Sequence, residues 1–389
     1  MPSLSIRRFA PTPTHSRTSL LAMIDLRSDT VTRPTPAMRR AIAEAEVHDD
    51  LIDVDPTVER LEKLTAELLG KEAAIYMPSG SMTNQIAIRV HCDRGTEFLC
   101  DSNSHVYNYE QAAFAQLSGV VARTVDSHLG VIEPEQLFPL IRPINLHFVR
   151  TRLVCLENTH NRAGGRIFPQ EKIERICSWA AEHGLRSHVD GARLWNAATA
   201  TGLSEEALSA PFDSVSVCFS KGLGAPVGSA LAGTREFIDE AKRARKLFGG
   251  AMRQAGIIAA GALHALLHHR DRLGEDHEHA QRLGATVADC EPLEVIGGDV
   301  QTNIVAVAID PRWGTAAEFA GRLKGLGVDS FVIGPQSIRL VTHLDISSAQ
   351  IDQACEAIRR VADLTPAVRA AGEPTNLGES VSVQPASYP

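Results

Sequence analysis

Short apolar runs alternate with longer amphipathic ones through most of the chain. EFLC (97–100), RLVCLE (152–157), SHVD (187–190), VSVCF (215–219) and SALAG (229–233) have the length of strands. Several are too uniformly apolar to keep one face in water, which is the pattern of buried parallel strands. Between them the period lengthens to that of a helix. Asp55 and Pro56, followed by Val58, Leu61, Leu64 and Leu68, predict a helix capped at its start and closed by Gly70. Buried strands separated by helices imply an α/β layered fold with a mainly parallel sheet between helices. A helical stretch from about 257 to 287 is followed by NIVAVAI (303–309) and IRLVTH (338–343), which flank another helix. These predict a smaller α+β unit. The expected division is a large unit over 23–270 and a small one over 271–364, with no internal repeat.

The ends differ from this interior. Residues 1–22 carry Arg7, Arg8 and Arg17 among many Ser and Thr, with no acid before Asp25. They are expected to form a disordered extension, with a targeting role as the lesser alternative. Residues 365–389, rich in Pro, Gly and Ser, are expected to be a disordered tail.

Composition narrows the function. The chain has 389 residues, 39 basic and 47 acidic, for a formal charge of −8. That argues against nucleic-acid binding and favours a small-molecule site. No run reaches the 18 or so apolar residues of a membrane-spanning helix. Seven cysteines without CxxC pairs point to free thiols in a reducing compartment, and so to the cytoplasm.

The chemistry concentrates around VSVCFSKGLGAPVG (215–228). Here an apolar run delivers one ammonium, Lys221, into a segment containing Gly222, Gly224 and Gly228. A snorkelling lysine is one reading. A Schiff-base lysine, partly desolvated so that its amine is nucleophilic, is the other. The glycines would permit tight turns and close approach of backbone to a flat ligand. Their spacing is not the dinucleotide fingerprint. Asp190, ending the apolar HVD run, could face the pyridine nitrogen of pyridoxal 5′-phosphate (PLP). Ser79, Gly80 and Ser81 open a helical pattern and could offer backbone donors to a phosphate. Arg193 or Arg339 could fork onto a substrate carboxylate.

Beyond these separate signals, whole motifs align with a known family. IDLRSDTVTRPTPAM (24–38), KEAAIYMPSGSMTNQ (71–85), LVCLENTHN (153–161), HVDGARLWNA (188–197), SVCFSKGLGAPVGS (216–229), GGAMRQAGI (249–257) and IRLVTHLD (338–345) resemble the L-threonine aldolase family of PLP enzymes. The likeness runs from about 23 to 364. It implies the fold type I, aspartate aminotransferase-like architecture, a homotetramer with shared sites, and cleavage of L-threonine, L-allo-threonine or phenylserine to glycine and an aldehyde. By the same resemblance Lys221 holds the cofactor and Asp190 faces its ring nitrogen. Arg193 lies near the cofactor and the substrate carboxylate. Gly80 and Ser81 form the phosphate turn, and His105 stacks on the ring. His147 lies near the substrate β-hydroxyl, so that His105 and His147 are both candidates for the base. Ser28 and Arg339 clamp the carboxylate. Lys246 and Arg253 reach toward a neighbour's cofactor. No metal is implied. Alternatives are β-elimination or transamination in the same site, or a PLP-fold binding protein without turnover.

The chain departs from the family pattern in three places: Ile52 and Asp53 replace a usual tyrosine and glycine, Ser81 replaces threonine, and Gln111, Ala112 and Ala113 replace a small A-G-G run. Two clusters suggest other functions. Five histidines lie in HALLHHRDRLGEDHEH (264–279), and EAKRARKLFGG (240–250) is basic. A solvated helix face and a subunit contact are the readings preferred for them.

Overall fold

The computed structural model describes residues 23–364, so the expectations for 1–22 and 365–389 lie outside the described residues. In chain order the strands are β1 Ile24–Asp25, β2 Ala73–Met77, β3 Glu97–Asp101, β4 Val121–Val125, β5 Thr151–Glu157, β6 Arg186–Gly191, β7 Ser214–Cys218 and β8 Ser229–Gly233. They continue with β9 Leu293–Val295, β10 Ile304–Ile309, β11 Val328–Asp329, β12 Phe331–Gly334 and β13 Ser337–Val341.

Seven strands form the main sheet in the order β2-β8-β7-β6-β5-β3-β4. Only β8 runs against the rest, paired antiparallel with both β2 and β7. The uniformly apolar runs are central: every residue of β3, β7 and β8 is buried. On one face Ile86 and Ala87 of helix Gly80–His91 pack with Ile238 and Ala241 of helix Arg235–Leu247 against Ile75, Met77 and Leu231. The opposite face buries Val154, Val189 and Val215 under Ile173, Ile176 and Trp179 of helix Gln170–Glu182. Helix Pro56–Leu68 forms as its sequence predicts. Asp55 accepts from Thr57 N (3.1 Å) and Val58 N (3.2 Å), and Gly70 follows in the left-handed region at φ +60°.

A second core lies around the antiparallel sheet β12-β13-β10-β9. The long helical stretch divides into Gly256–His268 and Leu273–Ala288, and the expected unit boundary at 271 falls in the turn between them. Leu273–Ala288 contributes Ala280, Leu283 and Val287 to the second core. So do Ile24 and Leu26. Parallel pairing of β1 with β11 and a bond from Val341 N to Leu26 O (2.8 Å) hold this first segment there. The first residues of 23–270 therefore pack with the small unit, because Ile24 and Leu26 find their apolar surroundings in it.

The parallel strands all point their C-terminal ends to one edge of the main sheet. Asp101, Glu157 and Asp190 end β3, β5 and the exposed-to-buried run of β6, and Lys221 follows β7 closely. Open α/β sheets bind ligands at this edge.

Candidate active site

Asp190 lies at the floor of this edge, almost completely buried. Its Oδ2 accepts from Asn84 Nδ2 (2.8 Å) and its Oδ1 from Ala192 N (3.1 Å). Burial alone would raise its pKa. His105, Lys221 and the Asn84 amide outweigh that and hold the carboxyl below the usual range.

Glu110 is the hub beside it. Its carboxylate accepts from Asn84 Nδ2 (2.9 Å), Gln85 Nε2 (2.5 Å) and His105 Nδ1 (2.9 Å). His105 also donates its backbone N–H to Glu157 (2.7 Å), which fixes the ring from a second strand end. Burial pulls the imidazole pKa down, but Glu110, Asp190 and Glu157 together raise it. With Nδ1–H committed to Glu110, the Nε2 lone pair is the basic atom. A ring nitrogen of His105 and one carboxylate oxygen each of Glu110 and Asp190 lie within 4.8 Å of one another.

Lys221 is half-buried, and its charge acts on both Asp190 and Asp29. Its carbonyl accepts from Gly224 N (2.8 Å) and Thr32 Oγ1 (3.3 Å). Gly224 at φ +77° and Gly228 at φ +114° complete the turn, and a Cβ on Gly228 would stand 2.4 Å from the Tyr76 hydroxyl. These two positions require glycine because of backbone sign and lack of space.

The opposite wall comes from the first segment and β13. Arg193 forks onto Asp29, with Nε–Oδ2 and Nη2–Oδ1 both at 2.7 Å, and Asn303 adds a bond to Asp29 (3.2 Å). Arg193 Nη1 (3.3 Å) and Arg339 Nη1 (2.9 Å) both donate to Asn161 Oδ1. Arg339 also reaches Arg27 O (3.3 Å) and lies over the Phe331 ring. Ser28, next to Arg27, caps the short helix Asp29–Val31. Arg339 is thus bonded to the residue that precedes Ser28.

Three expected site residues are not in this cluster. His147 is exposed in the loop before β5, at the end of the sheet opposite Glu157. That loop is pinned through Arg142 and Glu97, so within one chain His147 lies away from this cluster. Lys246 is exposed at the end of helix Arg235–Leu247, and Arg253 is exposed and ion-paired with Asp49 (3.1 Å). Sequence reasoning in turn passed over Asp29, Asn84, Glu110 and Asn161. All four lay inside or beside quoted motifs, but only the fold turns them toward the site.

The departures and decoys also find places. Ile52 is 76% exposed, on a loop tied to Arg253 and Arg245 through Asp49 and Asp50. Gln111 (φ 55°) and Ala112 (φ 50°) are both left-handed, directly after Glu110. Of the five clustered histidines, His277 bonds Asn196 and His279 bonds Ser348. Arg245 of the basic cluster is buried on Tyr76 O and Asp50.

The residues fit PLP. Both direct partners of the buried Asp190 are neutral donors, which leaves its charge available to a protonated ring nitrogen. Gly80 and Ser81 open the helix Gly80–His91, whose first N–H groups have no intrahelical acceptors. Ser229 Oγ, buried without a partner, lies 3.5 Å from where a Gly80 Cβ would stand. Fold and site together define a PLP-dependent enzyme of fold type I.

Residues 25–310 match the family described as beta-eliminating lyase. Probable low-specificity L-threonine aldolase 2 of Arabidopsis thaliana is 42% identical over 362 residues, spanning 90% of this chain and 99% of its own. Low specificity L-threonine aldolase of Escherichia coli K12 is 40% identical over 333 residues, spanning 85% and 96%. A solved threonine aldolase of Leishmania major covers 87% of this chain and 99% of its own with a TM-score of 0.77 at 18% identity, a likeness of fold. The chain belongs to the beta-eliminating lyase family, among the low-specificity L-threonine aldolases.

Proposed function

We propose that the chain cleaves L-threonine, L-allo-threonine and similar β-hydroxy-α-amino acids, phenylserine included, to glycine and an aldehyde. The carrying observation is the convergence of Lys221, the buried Asp190 and His105 at one sheet edge in a chain of this family.

Lys221 would hold PLP covalently, Asp190 its ring nitrogen, and the Gly80–Ser81 turn its phosphate, with His105 and Arg193 beside it. Bound there, PLP supplies a sink for the electron pair released when the Cα–Cβ bond breaks. Arg339 and Ser28 would take the substrate carboxylate and fix which Cα bond breaks. His105 Nε2 would remove the β-hydroxyl proton as the aldehyde C=O forms, while Glu110 steadies the imidazolium through Nδ1. A proton returned to Cα completes glycine. Because the His105 pKa is raised, the base form grows only above the ordinary imidazole range near 6.5. The acid limb of activity is therefore expected above that value.

We further infer a homotetramer with shared sites, in which exposed Lys246, Arg253 and His147 are available to a neighbouring subunit. The division at 270/271 and a cytoplasmic location belong to the same reading. Seven free, buried cysteines support the location. Among the described residues no helix is long and apolar enough to cross a membrane.

The test is glycine release from L-threonine, L-allo-threonine and L-phenylserine by purified protein with PLP, beside Lys221→Ala. Glycine from the parent and none from the variant supports the proposal. A 2-oxo acid with ammonia instead of glycine would transfer the assignment to elimination.

A further inference from the structure

A line of buried polar side chains leaves the site and runs away from it beneath the helix Gly80–His91. Strand alternation places His188 and Asp190 on one face of β6, and the register pairs His188 with Ser214 and Asp190 with Ser216 on β7. The helix above contributes Thr83, Asn84 and His91. Thr83 Oγ1 meets Ser216 Oγ at 2.5 Å. The longer line runs from Asp190 through Asn84, His188 and Ser214 to His91: Asn84 Oδ1 to His188 Nε2 is 3.2 Å, His188 Nδ1 to Ser214 Oγ is 2.8 Å, and Ser214 Oγ to His91 Nε2 is 2.8 Å.

The donors in this line are fixed by counting. Both protons of the Asn84 amide are used, on Glu110 and Asp190. Its Oδ1 can then only accept, so His188 must carry its proton on Nε2. Nδ1 is left to accept from the Ser214 hydroxyl, whose oxygen accepts from His91. Burial keeps both imidazoles neutral near pH 7, pushing His188 down to about 4 and His91 down to about 3.

We propose that His188 is a positioning residue: by donating from Nε2 to Asn84 it locks the amide so that both amide protons face Glu110 and Asp190. It thereby orients the carboxylate that meets the cofactor ring. His188 itself touches neither substrate nor cofactor. The proposal rests on the PLP reading above and adds a dependence on which imidazole nitrogen bears the proton.

Two substitutions of similar size separate this from simple filling of space. Gln places an N–H near Nε2 of the histidine it replaces, whereas Asn reaches only the Nδ1 position. In the PLP-loaded protein, His188→Gln should retain the PLP dissociation constant and the pH titration of the cofactor absorbance. His188→Asn should weaken PLP binding roughly tenfold and displace that titration. Equal behaviour of the two folded variants, compared by thermal unfolding, would overturn the proposal. If His188→Asn does not fold, His188→Met takes its place, since it fills the space without an N–H: weaker PLP binding and a displaced titration support the role, and values equal to those of His188→Gln refute it. Parent protein that binds no PLP would instead defeat the cofactor reading itself.

Discussion

Two sets of basic side chains share motifs with the same family and end in opposite surroundings. Lys221, His105, Arg193 and Arg339 converge on acids and amides at the C-terminal edge of the main sheet, where Asp29, Glu110, Glu157 and Asp190 hold them. His147, Lys246 and Arg253 stand on the outside, and the one ion pair described for them is Arg253 with Asp49. The inner set acts in a low dielectric, where each charge needs its partner. The outer set is open to water, which screens its charges, and a function must come from something that covers them. A motif thus identifies a residue type, while the direction of the strand or helix that carries it decides which of these two environments it meets.

The comparison can be broken from the inside first. Asp29→Asn would leave the Arg193 guanidinium buried without its counter-charge, and a loss of about 3–5 kcal/mol in unfolding free energy is expected. Denaturant titration reads this directly; a loss under about 1 kcal/mol would show that water reaches the pair. Glu110→Gln is next. It removes the carboxylate that raises the His105 pKa, so the acid limb of kcat/KM should move to lower pH, with turnover reduced roughly tenfold or more. An unmoved limb would take His105 out of the base role. The smallest effect is expected outside: His147→Ala should change glycine release by the assembled protein less than about threefold. A hundredfold loss would return His147 to the chemistry, through a neighbouring subunit's site.

Much of this arrangement was legible in the sequence, because uniformly apolar strands have little freedom to be anything else. RLVCLE, SHVD and SALAG lie in β5, β6 and β8, and VSVCF lies in β7 except for Phe219, one residue past its end. Less visible were β2, hidden in a motif quoted for its resemblance, and β4, a partly exposed edge strand without a continuous apolar signal. The reversed direction of β8 could not be read either, since a buried antiparallel strand has the same composition as a parallel one. At the site, Lys221 and Asp190 stand out as charges ending apolar runs. Glu110 does not, because it sits just before a left-handed bend at Gln111 and Ala112, where Gln111 replaces a small residue of the family pattern. Asp29 and Arg193 are 164 positions apart, and no local period links them. The same holds for His188 and Asn84, 104 apart.

The packing of the first segment into the second core sets an order of events during synthesis. Arg27 and Arg339, which bond through the Arg27 carbonyl, are separated by 312 residues. At about 5–20 residues per second, the start of the chain waits roughly 15–60 s before its pairing strands leave the ribosome. Until then Ile24 and Leu26 lack the core they enter in the folded chain, and the acid at position 29 meets Arg193 only 164 residues on and Asn303 later still. The nascent protein can complete its main sheet well before the wall that joins its first segment to β13 exists, so that wall arrives last, with the closing strand.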